Sequence, residues 1–168
     1  DYLVLASSAI RYRELSPTVE QIVVTFGGHD ERNLTGFMLD VLPSLPSHLH
    51  FDIVIAESFD DQVDELQRRV SILQGARQGR MVLHRRPIYF HELVRDADLA
   101  IVSGGLTVFE CADFGVPSIG LPQYQHQLDT IKRLEKLNIT RLGTREMELD
   151  RTLLCNVILS LLSNPRER

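Results

Sequence analysis

Leu99-Ala100-Ile101-Val102-Ser103-Gly104-Gly105-Leu106-Thr107-Val108-Phe109-Glu110 joins an apolar run to a helical pattern through a pair of glycines. Its first four residues are apolar on consecutive rather than alternate positions, as in a strand covered on both faces. Ser103-Gly104-Gly105 interrupts the run. From Thr107 a helical pattern follows, and Gly115 with Val116-Pro117 ends it, because glycine accepts the left-handed cap and proline lacks the donor needed beyond it. Buried strand, glycine turn and helix in succession make half of a strand-helix-strand crossover, the unit of a parallel sheet.

The same unit recurs on both sides. Strands are expected over 22–26, 51–56, 81–84, 99–102, 118–121 and 140–142, and helices over 34–42, 62–74, 89–96, 107–114, 127–137 and 146–162. The runs at 22–26 and 51–56 are, like 99–102, nearly continuous in apolar residues, which puts all three in the middle of the sheet. The expectation is an α/β domain with a doubly wound six-stranded parallel sheet in the order 3-2-1-4-5-6. Residues 1–20 do not fit the alternation and read as a linker or the remnant of a preceding amino-terminal domain, or equally as a frayed tail. The domain proper spans 21–168.

A chain of 168 residues is the size of one compact domain. Its formal charge of −5 argues against nucleic acid as a partner, which calls for a basic face. Cys111 and Cys155 sit apart in apolar helical patterns, so reduced buried thiols are expected rather than a disulfide. No apolar run approaches the ~18 residues that span a bilayer, and no basic-then-apolar leader opens the chain. The expected location is therefore the cytoplasm. His29, His48, His50, His84, His91 and His126 show no helical i, i+4 pair and no cysteine cluster, so no metal is expected.

In an open parallel sheet, ligands sit beyond the carboxyl ends of the strands, in the crevice where strand order reverses, here between strands one and four. Strand one ends in Gly27-Gly28-His29-Asp30 and strand four in Ser103-Gly104-Gly105-Leu106-Thr107. Both carry glycine pairs at one sheet edge, each leading toward a helix whose backbone amides point at a phosphate. Glu110, on the first turn of the following helix, has two readings. Its carboxylate accepts both hydroxyls of a ribose, or it completes a Thr-x-x-Glu capping box with Thr107. After strand five, Pro122-Gln123-Tyr124-Gln125-His126-Gln127 offers amides and an imidazole to sugar hydroxyls, or stands solvated in a loop. Arg85 and Arg86 follow strand three and either face phosphate or base or, as is more common for arginines at a strand end, stand solvated.

These residues resemble the carboxyl-terminal domain of GT-B-fold enzymes, near the MurG-type N-acetylglucosaminyltransferases and the PseG and SpsG proteins of bacterial surface-polysaccharide pathways. The resemblance covers residues 21–143. Ser103-Gly104-Gly105-Leu106-Thr107-Val108-Phe109-Glu110 with Gly115-Val116-Pro117 looks like the MurG-type UDP-binding segment, whereas Gly27-Gly28-His29-Asp30 looks more like PseG and SpsG, with His29 in place of the usual Ser. It implies a Rossmann-like fold and a UDP-sugar ligand, with no cofactor. By it, Glu110 binds ribose and Ser103, Gly104, Gly105, Leu106 and Thr107 line the diphosphate. Gly27, Gly28 and His29 form the opposing turn, Ile88 offers its backbone to uracil, and His126 with Gln127 reaches the sugar. GT-B enzymes carry the acceptor site, and usually the catalytic base, on an amino-terminal domain. The expectation is thus a donor-binding domain inactive alone, with no catalytic residue of its own.

Three rivals stand beside this reading. A dinucleotide-binding domain would use Glu57 for ribose, but no G-x-G-x-x-G follows strand one, and Glu57 lies too far along. A UDP-sugar hydrolase would use the same pocket with water as the nucleophile. A non-enzymatic relative would keep the fold with a vestigial pocket.

Overall fold

A computed structural model describes residues 16–56 and 62–164. Six strands form one parallel sheet in the order β3-β2-β1-β4-β5-β6, which is the expected doubly wound topology. The strands are β1 (Gln21–Thr25), β2 (His50–Ile55), β3 (Met81–Arg85), β4 (Leu99–Val102), β5 (Ser118–Gly120) and β6 (Arg141–Leu142). Between them run α1 (Leu34–Val41), α2 (Val63–Gly75), α3 (Phe90–Asp96), α4 (Thr107–Phe114) and α5 (Gln125–Lys136), and α6 (Arg151–Ser163) closes the order.

Successive side chains of a strand point to opposite faces, so each buried strand feeds two cores. On one face Ile22 and Val24 of β1, Ile53 of β2 and Ile101 of β4 pack with Leu34 and Met38 of α1, Val70 of α2 and Ile158 of α6. On the other, Val23, Val54, Ala100 and Val102 pack with Val94 of α3, Val108 and Cys111 of α4 and Leu134 of α5. That second face also buries a charge. Asp52, nearly inaccessible, receives hydrogen bonds from Gln21 and Arg80 and lies 2.7 Å from His84 Nε2. A buried carboxylate persists because these partners compensate its lost hydration.

The elements follow the expected ranges with two informative exceptions. α5 starts two residues before the expected position, at Gln125, because Gln125 and His126 carry no apolar signal to mark a helix. α6 starts at Arg151 rather than Glu146: Glu146 has φ 54°, and Arg145 bridges Glu148 in a tight turn. Asp150 then caps the helix by accepting from the amides of Thr152 and Leu153. Met147 and Leu149 had extended the apolar period through a segment that is not helical. Among the described residues no helix is long and apolar enough to cross a membrane. The segment 1–15, Glu57 and Pro165 lie outside the described residues.

Candidate functional site

β1 and β4 are direct neighbours, with Thr25 paired to Val102. Their two glycine turns therefore leave the same sheet edge from adjacent strands, about 4.8 Å apart. Ser103 sits between them: its Oγ lies 4.0 Å from where a Cβ on Gly27 would stand and 3.6 Å from that of Gly105. Gly27 has φ 83°, which an L side chain rarely adopts. Gly104 is constrained differently, since a Cβ there would stand 2.6 Å from the Gln127 carbonyl oxygen. The start of α5 thus presses directly on the second turn.

The two helices that follow these turns differ at their amino ends. Asp30 closes α1, its two carboxylate oxygens accepting from the amides of Leu34 at 2.6 Å and Thr35 at 2.7 Å, and Asn33 accepts from Gly36. No side chain caps α4. Leu106 occupies the cap position and Thr107 is already the first helical residue, so the Thr107-Glu110 capping box is not formed. The amides that open an α-helix lack internal partners and carry the positive end of its dipole. Of the helix ends that follow the two turns, that of α1 is neutralised by the chain's own carboxylate and that of α4 remains receptive to an anion.

Glu110 lies on the first turn of α4, partly exposed, with Oε1 3.3 Å from His91 Nε2 of α3. The His91 ring packs edge-on to Phe90 and Phe114, which fixes where that contact is made. A cleft of about 210 Å3 opens beside the first turn, lined among others by Thr25, Gly27, Ala56, Arg86, Phe90 and Thr107. It runs from the glycine turn across the end of β2 to the segment after β3, where Arg86 adopts φ 46°.

The expected site residues divide into two groups. Gly27, Ser103, Gly104, Gly105, Thr107 and Gln127 meet at the crevice, with Gly28 and Glu110 adjoining. His29, Ile88, Leu106 and His126 stand exposed around it, and Ile88 is fully accessible without lining the cleft. His126 stacks on Tyr124 with ring centroids 5.5 Å apart. Gln127 is buried, and its Oε1 accepts from the Gln123 amide at 2.9 Å. Arg86, for which the sequence left a ligand-facing and a solvated reading, is exposed and also lines the cleft. No local signal in the sequence marks the pair Asp52 and His84, which stand far apart in the chain; the other ring nitrogen of His84 lies 3.3 Å from the Tyr89 hydroxyl.

Cys111 contributes packing rather than chemistry. Burial, and secondarily the Glu110 carboxylate, pushes its thiol up to about 12, so it stays protonated at neutral pH. No group of His, Cys, Asp or Glu among the described residues is arranged to hold a metal ion.

Fold and connectivity define the class: a Rossmann-like α/β domain with the fold of one domain of the GT-B glycosyltransferases. The chain is similar to the spore coat polysaccharide biosynthesis protein SpsG of Bacillus subtilis, 27% identical over 98% of this chain and 49% of that protein. Among solved structures, Acinetobacter baumannii MurG superposes with a TM-score of 0.71 at 18% identity, over 90% of this chain and 43% of MurG. The S. aureus MnaA-UDP co-structure superposes at 0.64 and 12% identity, over 89% of this chain and 38% of MnaA. The chain therefore spans about half the length of SpsG and about two-fifths of the two solved chains. No family model matches it.

Proposed function

We propose that this chain is the donor-binding unit of a glycosyltransferase in cell-surface polysaccharide biosynthesis, holding a UDP-sugar through its nucleoside diphosphate. One observation carries the reading. Two glycine turns on adjacent strands converge on Ser103, beside one helix end that Asp30 already neutralises and another, that of α4, which no side chain caps. The diphosphate lies across the turns with its charge toward α4, where amides of residues 105–107 donate to it. Glu110, three residues into α4, accepts from the ribose hydroxyls, and the cleft bounded by Arg86 and Phe90 receives the base. A dinucleotide domain would use the helix after strand one for its pyrophosphate, and here Asp30 holds that position.

Further support comes from the polysaccharide-biosynthesis role in the name of SpsG and from the UDP in the MnaA co-structure. None of the residues at the crevice is assigned a catalytic role. Glycosyl transfer needs an acceptor site and a base, which the reading assigns to a second domain, such as the remaining length of MurG would supply.

Calorimetric titration tests this reading. UDP is expected to bind without added divalent metal, and ADP and orthophosphate to bind much more weakly. Equal affinity for ADP would remove the uridine assignment, and no binding of any nucleotide would remove the reading.

A further inference from the structure

We infer that Gln123 is a positioning residue that locks the first glycine turn in its ligand-competent shape. The geometry stands alone; its consequence for affinity rests on the nucleotide reading above. Gln123 is 6% exposed, in the loop after β5. Its Nε2 donates 2.8 Å hydrogen bonds to two carbonyls, those of Phe26 and His29. These carbonyls flank Gly27-Gly28, so a single amide pins both ends of the turn. The Gln123 backbone amide donates to Gln127 Oε1, and Gln127 is the residue pressed against Gly104. One pair of glutamines thus links the turn after β1 to the turn after β4.

This brace meets a physical need. Glycines permit a turn to approach a phosphate, but they also give it the largest choice of alternative conformations. Affinity falls in proportion to the fraction of molecules in the competent shape. An amide holding the carbonyls on either side raises that fraction without occupying the ligand's space. The design also has a cost that plain packing would avoid, because Gln123 Oε1 is buried with no partner among the described protein atoms. Arg32, also in the loop after β1, donates to the carbonyl of Pro122 at 2.7 Å, in the loop after β5, and to that of Met147, in the turn before α6.

Gln123→Met removes both donors at nearly constant volume. Gln74→Met is the matched control, since Gln74 likewise makes two side-chain bonds, to Gly79 and Met81, at the opposite edge of the sheet. Both substitutions are expected to lower the melting temperature. UDP affinity should fall about tenfold in Gln123→Met, corresponding to a turn competent about a tenth of the time, and stay unchanged in Gln74→Met. Backbone order parameters from NMR relaxation without ligand should fall at Gly27, Gly28 and His29 in the first variant alone. Unchanged order there, or UDP affinity within twofold of wild type, would overturn the inference. If the wild-type chain takes up no UDP, the nucleotide reading falls and the relaxation measurement decides the brace by itself. Should Gln123→Met fail to fold, Gln123→Asn, whose shorter arm cannot span both carbonyls, is read in the same way.

Discussion

Gly28→Ala separates a ligand role from a structural one, because the structure predicts opposite signs for stability and for binding. A Cβ built on Gly28 meets nothing within 4 Å, and Gly28 is not among the positive-φ glycines, which are Gly27 and Gly115. Alanine therefore fits the folded backbone and restricts the unfolded one, adding about 0.4–1 kcal/mol. At roughly 2–4 °C per kcal/mol for a domain of this size, the melting temperature rises by about 1–4 °C. Binding moves the other way. The second glycine of a phosphate turn is bare so that the backbone reaches the pyrophosphate, and a methyl there should raise the Kd for UDP at least ~10-fold. At a UDP concentration of ~100 times the wild-type Kd, the ligand stabilises the wild type by about 2.7 kcal/mol and the variant by about 1.4 kcal/mol. Thermal melting with and without UDP, checked by calorimetry, reads both numbers. An unchanged UDP shift would show that phosphate does not approach this turn, and a loss of stability would show that the space around Gly28 is not open.

Glu110→Gln keeps the shape of the carboxylate but surrenders its charge, and the two ribose hydrogen bonds, each about 1.5–3 kcal/mol to a charged acceptor, should weaken enough to remove most of the UDP shift; wild-type affinity in this variant, or equal affinity of the wild type for UDP and 2′-deoxy-UDP, would refute the ribose role. Gly104→Ala forces a Cβ to 2.6 Å from the Gln127 carbonyl oxygen and 2.8 Å from its Cβ, so overpacking of about 1–3 kcal/mol should lower the melting temperature and weaken UDP together, unlike Gly28→Ala, and a melting temperature at the wild-type value would contradict it. Cys111 supplies a pH test: its thiol is raised to about 12 when folded, while the unfolded thiol ionises near 9. The native state therefore holds the extra proton between those values, and stability should fall with rising pH by up to about 1.4 kcal/mol per unit over that window and not below it. Cys111→Ala should lose this component of the slope in alkaline unfolding curves, and parallel curves would contradict the assignment.

Most of the fold was legible because it rests on local signals. Leu99 to Val102 and Thr107 to Phe114 stand where the apolar runs and the stop at Gly115 put them. The strand order followed from the general rule for such alternations, and Ile22, Val24 and Ile101 face the core that the period of two demands. Helix starts were less legible, since they depend on caps. Asp150 begins α6 although the apolar period runs back to Met147, and α5 opens at Gln125, two residues before the expected start at Gln127.

At the site, adjacency of the glycine turns was legible from topology, whereas bonds between distant residues were not. Gln123 was read as one of several loop amides facing a sugar, yet it reaches back 97 positions to Phe26 and 94 to His29. Asp30 appeared as part of a turn, and its capture of the α1 amides required coordinates. Those amides explain why two similar turns are not equivalent, which the residue types alone do not reveal.

Amide NMR during a UDP titration reports directly on whether phosphate enters between the two turns. Gly27, Gly28, Gly104, Gly105, Leu106, Thr107 and Glu110 should shift together with one saturation curve, while Leu34 and Thr35, held by Asp30, move little. Shifts confined to the separate cleft formed by Asp40, Arg69 and Arg151, or a response at Leu34 and Thr35 in place of Leu106 and Thr107, would contradict it.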